Sequence, residues 1–159
     1  MKRAFYVVLL VILLCSCNKK EDVLAYQQKN PTIECTVNEK FELVISRDDI
    51  TTIRVKNPSE ISALYFEFGQ GYAYAINGDL KIPLDSSSAC GLYALANCLS
   101  LESNSIVSVA DQGKNSIVTF ENEHGTYIIT YGKNLLPSHI EIHSSKFDYD
   151  ILVTGIELK

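Results

Sequence analysis

The sequence predicts a mainly β domain (α+β): a curved antiparallel sheet, or incomplete β-barrel, of about ten strands wrapped around one central helix. Three observations predict it. From Thr32 onward, apolar and polar residues alternate with period two over short runs, the pattern of strands with one buried face. Turn residues separate these runs at short intervals, as in an antiparallel meander. One segment, "DSSSACGLYALANCLSLE", drops the alternation for apolar spacing of helical period and has almost no polar face, so that helix is expected to be buried.

The strands follow in order. In "FELVISR", Phe41, Leu43 and Ile45 alternate with Glu42, Val44 and Ser46. In "SALYFEF", Leu64, Phe66 and Phe68 share a face opposite Tyr65 and Glu67. "GYAYAI" sets Tyr72, Tyr74 and Ile76 on one side and small alanines on the other. "GTYIITY" aligns Tyr127, Ile129 and Tyr131, and "FDYDILV" aligns Phe147, Tyr149, Ile151 and Val153. Between them lie Asn57-Pro58-Ser59, Gly69-Gln70-Gly71 and Asn77-Gly78, the last a type I′ hairpin signal because both residues accept positive φ. Within the helical segment, Asp85 to Ser88 are candidate N-caps. At 100° per residue, Ala89, Leu92, Leu95, Ala96 and Leu99 fall on one face. Gly91 costs this helix about 1 kcal/mol of propensity relative to alanine, so packing must hold it.

The chain begins "MKRAFYVVLLVILLCSCNKKED". Lys2 and Arg3 form a basic n-region, and Ala4 to Leu14 an apolar run of 11 residues. A span needs about 20 apolar residues, so the run reads as a secretory signal over residues 1–16. "LCSC" resembles the lipobox of bacterial lipoproteins: an aliphatic residue, two small residues and the acylated cysteine. In that frame Cys17 is the lipidation site, and Cys15 leaves with the signal. Residues 17–30 read as a lipidated N-terminus and polar tether, and 31–159 as a single domain. Acyl chains suit an anchor, since each buried methylene contributes roughly 0.8 kcal/mol and two chains hold where one binds reversibly.

Cleavage after residue 16 leaves 143 residues, with 12 basic against 19 acidic side chains and a net charge of −7. That balance argues against nucleic acid as a partner. Three cysteines follow Cys17: Cys35, Cys90 and Cys98. Cys90 and Cys98 lie about 12 Å apart by helical rise, beyond disulfide reach, and inert core thiols are the expectation.

A curved antiparallel sheet, a helix in its concavity and a lipobox together resemble the LolA/LolB-like lipoprotein fold. "VKNPSEISALYFEFGQGYAYAINGDLKIPLD" resembles the family's hairpins leading into its lid helix. "GTYIITYGKNLLPSHIEI" resembles the late strand pair. The resemblance spans Thr32 to Lys159. It implies an apolar cavity between sheet and helix that accepts acyl chains of lipids or lipoproteins. Carried over, the walls would be Phe66, Phe68 and Tyr74 from the sheet's first half, Leu92, Leu95 and Leu99 from the helix, and Ile129.

Little in the chain points to catalysis. His139 and His143 are four apart, a zinc-binding spacing on a helix. Pro137 and the alternating Ile140 and Ile142 make this a strand, where such positions are about 13 Å apart. Asp48-Asp49 sits at a turn, and Asp148/Asp150 on an edge-like polar face, both expected to be solvated. "GQGYAY" lacks the third glycine of a dinucleotide loop, and neither G-x-S-x-G nor H-E-x-x-H occurs. The expectation is a non-catalytic, membrane-anchored extracytoplasmic protein with no cofactor or metal, binding or carrying an apolar lipid or acyl ligand. The alternative is a protein-interaction or envelope-sensor module with a solid core.

Overall fold

The computed structural model describes residues 23–159. The segment read as a secretory signal, and with it Cys15 and Cys17, lies outside the described residues. Eleven strands form one antiparallel sheet. β1 (Thr32–Val37), β2 (Phe41–Arg47), β3 (Thr51–Asn57), β4 (Leu64–Gly69), β5 (Tyr72–Asn77) and β6 (Leu80–Pro83) make a first meander. The helix α1 (Cys90–Asn97) then leads to a second: β7 (Ile106–Gln112), β8 (Asn115–Asn122), β9 (Gly125–Tyr131), β10 (Pro137–His143) and β11 (Asp148–Glu157). Pairing of β1 with β11 joins the two, in the order β6-β5-β4-β3-β2-β1-β11-β10-β9-β8-β7. The edges β6 and β7 do not pair, so the sheet stays open around the helix.

Alternation sorts the two faces. Ile33, Ile45, Ile53, Phe120, Ile129 and Ile142, each at most 1% exposed, carry the concave core across both meanders. The faces read from "FELVISR", "SALYFEF" and "GTYIITY" are the ones observed. "GYAYAI" is inverted. Its register sets Ala75 opposite Phe66 and Ala73 opposite Phe68, so the alanines share the concave face with the phenylalanines. Tyr74 pairs with Glu67 on the convex face instead, its ring 4.2 Å beneath the Lys81 ammonium. The reason is volume: large rings on β4 and Tyr93 of the helix, edge-on to Phe68 at 5.1 Å, leave room only for methyl groups on β5.

The β5–β6 hairpin also differs from the expected type I′ turn. Asn77 pairs with Leu80, which leaves Gly78 and Asp79 as the loop, and of the two only Gly78 has positive φ (58°). Glycine at the first central position is the type II′ arrangement. The acidic pair of β11 lies mid-sheet, between β10 and β1, and not near an edge.

The helix is short, eight residues. Asp85 does not cap it directly. Its carboxylate accepts hydrogen bonds from the Ser88 amide and hydroxyl, each at 3.2 Å, and so shapes the preceding turn. Beyond Asn97, i→i+3 bonds from Cys98 to Leu95 and from Ser100 to Asn97 tighten the chain, which keeps Leu99 and Leu101 buried. The Tyr127 hydroxyl donates to the Ala94 carbonyl at 3.3 Å, pinning α1 to β9. The stretch read as tether is docked from Val23 on. Val23 and Tyr26 are core residues, the Tyr26 ring lies edge-on to Tyr131 at 6.2 Å, and Lys159 donates its amide to the Lys29 carbonyl. The ordered domain thus begins before residue 31.

Gly91 has a structural reason. A Cβ there would lie 2.2 Å from the Tyr149 hydroxyl oxygen. Gly91→Ala should therefore force the Tyr149 hydroxyl aside, so that the domain gains less than the about 1 kcal/mol that alanine's better helix propensity would otherwise contribute. Urea denaturation checks this. In a Tyr149→Ala background the same substitution should recover that full gain, since the collision partner is gone.

Candidate functional site

An apolar cleft opens between α1 and the first half of the sheet, with a volume of about 200 Å³. Leu43 of β2, Ile53 and Val55 of β3 and Phe66 of β4 form its floor, because these positions alternate onto the concave face. Leu92 and Leu95, one helical turn apart, form its roof. Tyr149 of β11 closes one side: its ring stacks on Phe147 at 5.0 Å, and its hydroxyl rests against Gly91. At the rim, Phe41 and Ile61 are 40% and 38% exposed, a large apolar surface for two solvent-facing positions. The lining contains no charged side chain, and the Tyr149 phenol supplies its single polar side-chain group.

Of the residues assigned to a cavity wall from the sequence, Phe66, Leu92 and Leu95 meet in this cleft. Phe68, Leu99 and Ile129 belong to the packed core instead. Tyr74 faces outward beside Lys81, as the β4–β5 register requires. The rim residues Phe41 and Ile61 and the closing Tyr149 were missed. For Phe41 and Tyr149 the signal existed, since both alternate with core positions at strand ends. Ile61 lies in a 3₁₀ turn (Ser59–Ile61), where periodicity says nothing about direction.

A larger concavity of about 620 Å³ lies between the N-terminal 3₁₀ turn (Ala25–Lys29) and the loop after α1. Gln27, Gln28, Ser100, Glu102 and Asn104 make it polar. Its one cation, Arg47, donates to the Leu99 carbonyl and so anchors that loop. Its one cation is thus already engaged, and the smaller cleft is the one with exposed apolar surface to cover.

The titratable groups under the helix are held neutral by burial. Desolvation pushes the Cys35 thiol up to about 12 and the Tyr127 phenol likewise to about 12. It raises Cys98, Tyr26 and Tyr131 as well. None of these groups is an activated nucleophile.

The described residues define a class: an open, curved antiparallel sheet holding a helix that is buried only over Ala94–Ala96, with an apolar cleft at their junction. No family model matches the chain and no curated protein matches it in sequence. Among solved structures it is similar to an uncharacterized conserved protein from Thermus thermophilus, with a TM-score of 0.51 and 8% identity. The match covers 91% of this chain and 88% of that one. At that identity the likeness is one of fold.

Cys90 is partly exposed, whereas Cys35 and Cys98 are 2% and 1% exposed. In a Cys15→Ser/Cys17→Ser chain at about pH 8, Ellman's reagent should titrate Cys90 rapidly and the other two only after denaturation, because the thiolate is the reactive form. Rapid reaction of all three in the native protein would contradict the packing described.

Proposed function

We propose that the chain is a membrane-anchored extracytoplasmic lipoprotein whose domain binds or carries an apolar lipid or acyl ligand in the cleft between sheet and helix, without catalysis. The cleft is the observation that carries this reading. Its lining is hydrocarbon apart from one phenol, and two exposed apolar side chains rim it. A volume of about 200 Å³ is below the roughly 300–1,000 Å³ of drug-sized sites. It suits a segment of one alkyl chain, with the polar head group left in solvent. Burying that segment follows from removal of apolar area from water, about 25 cal/mol per Å². The lipobox-like "LCSC" supports acyl attachment at Cys17, close in sequence to Val23, the first core residue among the described ones.

A second reading has its own observation. Edge strand β7 is seven residues long and contains neither lysine nor proline, whereas the four-residue edge β6 has both Lys81 and Pro83. The guards of β7 are Asp111 and the register shift between Ile106 and Ser108, lighter than those of β6, and such an edge can accept a partner's strand, as an interaction or envelope-sensor module requires.

Titration with a fluorescent long-chain fatty acid, with native mass spectrometry of the lipid-exposed protein, separates the two. Leu92→Trp, which fills the roof, should weaken binding about tenfold or more, equivalent to about 1.4 kcal/mol. Tyr74→Ala on the convex face should leave it unchanged. A protein that stays empty and transfers no lipid between vesicles contradicts the carrier reading. Cys17→Ser should release the protein from membranes or leave an uncleaved precursor; unaltered anchoring would overturn the lipidation assignment.

A further inference from the structure

The convex face of β10 and β11 carries a row of side chains that the cleft does not use. His139, Glu141 and His143 alternate along β10, and β11 sets Asp150 opposite Glu141 and Asp148 opposite His143. His143 Nδ1 lies 3.0 Å from Asp148 Oδ1, and its Nε2 lies 3.3 Å from Glu141 Oε2. His139 Nε2 lies 2.9 Å from Asp150 Oδ1, and its Nδ1 is 3.7 Å from the other Glu141 oxygen. Both ring nitrogens of His143 therefore face carboxylate oxygens, which only accept hydrogen bonds. A neutral imidazole has one N–H and can satisfy one of them, whereas the imidazolium satisfies both.

We propose that His143, Asp148 and Glu141, extended by His139 and Asp150, form a proton-operated clasp between β10 and β11 that is tightest when the His143 ring carries both protons. The groups around it are consistent with control by these carboxylates. β9 presents Thr126, Ile128 and Thr130 opposite the β10 row, none of them titratable. Across the shallow concavity beside His143 lie Glu121, Glu123 and His124 of the β8–β9 hairpin. The His124 ring stacks on Tyr93 and faces Glu123 at 3.7 Å. Lys146 sits in the hairpin loop, whose Ser144 side chain accepts from the Lys146 and Phe147 amides.

The hydrogen bond to Asp148 holds the His143 pKa above its ordinary value; it outweighs the opposing desolvation, and the hydrogen bond to Glu141 adds a lesser upward contribution. A group whose pKa is raised on folding stabilises the fold fully below its unfolded pKa, and that contribution is lost as pH rises through the folded pKa. The clasp therefore loosens as the medium passes from mildly acidic to alkaline. It closes the hairpin that presents Phe147 and Tyr149, so it governs how firmly one side of the cleft is held. The clasp stands independently of any ligand.

Amide hydrogen exchange of the full-length protein in mild detergent, corrected for intrinsic rates, tests it. Protection of residues 141–150 relative to β4 should fall about threefold or more between about pH 5.5 and pH 8.5, the range in which histidine discharges. In His143→Gln most of this pH dependence should be lost, and in His124→Gln it should follow the wild type. By NMR, Asp148→Asn should lower the midpoint of the His143 ring titration. A wild-type ratio independent of pH, a response largely retained in His143→Gln or lost in His124→Gln, or a midpoint unmoved by Asp148→Asn would each overturn the proposal.

Discussion

The pairing of β1 with β11 is the constraint on which the rest of the structure depends. Each meander is built from hairpins between sequence neighbours, but the two become one sheet where Thr32 meets Glu157 and Val37 meets Ile151. Side chains reinforce this seam at both ends. Asn38, in the left-handed region at φ 50°, donates its backbone N–H to the Asp150 carbonyl and accepts from the Asp150 backbone N–H at its side-chain Oδ1, both at 2.7 Å. Near the other end, the Thr154 hydroxyl donates to the Glu34 carbonyl beside the bulge at Glu34/Cys35. The seam joins the two ends of the domain, so its loop-closure cost falls on nearly the whole chain. Folding should be limited by this non-local contact rather than by any hairpin.

The helix inherits that dependence. Eight residues with a glycine at the second position are too few for a stable isolated helix. Ala94 and Leu99 are fully buried in the concavity, and partners come from both meanders: Phe68 on Tyr93 from the first, Tyr127 on Ala94 from the second. Neither meander alone encloses α1, and without α1 the concave faces of both would meet water. Sheet closure and helix formation are thus one cooperative event. This explains a helix with no polar face and no side-chain cap, features that would be defects on a surface.

Strand identity was legible because a half-buried sheet writes its geometry directly into alternation, as in Phe41-Leu43-Ile45 and Tyr127-Ile129-Tyr131. Direction was legible only where the two faces differ in polarity. "GYAYAI" has tyrosines on one side and alanines on the other, and hydrophobicity alone favours burying the rings. The register against Phe66 and Phe68 decides otherwise, and register is a property of two strands that neither discloses by itself. The docking of Val23 and Tyr26 was hidden for a similar reason. Their neighbours Glu21, Asp22, Gln27 and Gln28 are polar, and nothing local signals that Tyr131 waits over a hundred residues downstream. Three cleft residues could be named from the sequence since they are core positions in any sheet-and-helix packing. The cleft itself could not, because it is a difference between two packings.

That difference lies in where the helix sits. The second meander offers α1 a close-packed bed: Val118, Phe120, Tyr127 and Ile129 are all fully buried, and the Tyr127 hydroxyl reaches the helix backbone at Ala94. A small side chain at Ala94 lets the helix approach that bed closely. Leu92 and Leu95 point the other way, toward β2 to β4. There Leu43, Val55 and Phe66 keep 6–9% exposure, the mark of a looser contact. A helix drawn toward one side of a curved sheet must leave space on the other, unless larger side chains fill it. The chain has leucines there and an exposed phenylalanine and isoleucine at the rim, so the space remains. Alanine on one helix face and leucine on the other thus set the position of the cleft, and the alternation of β2 to β4 makes it apolar.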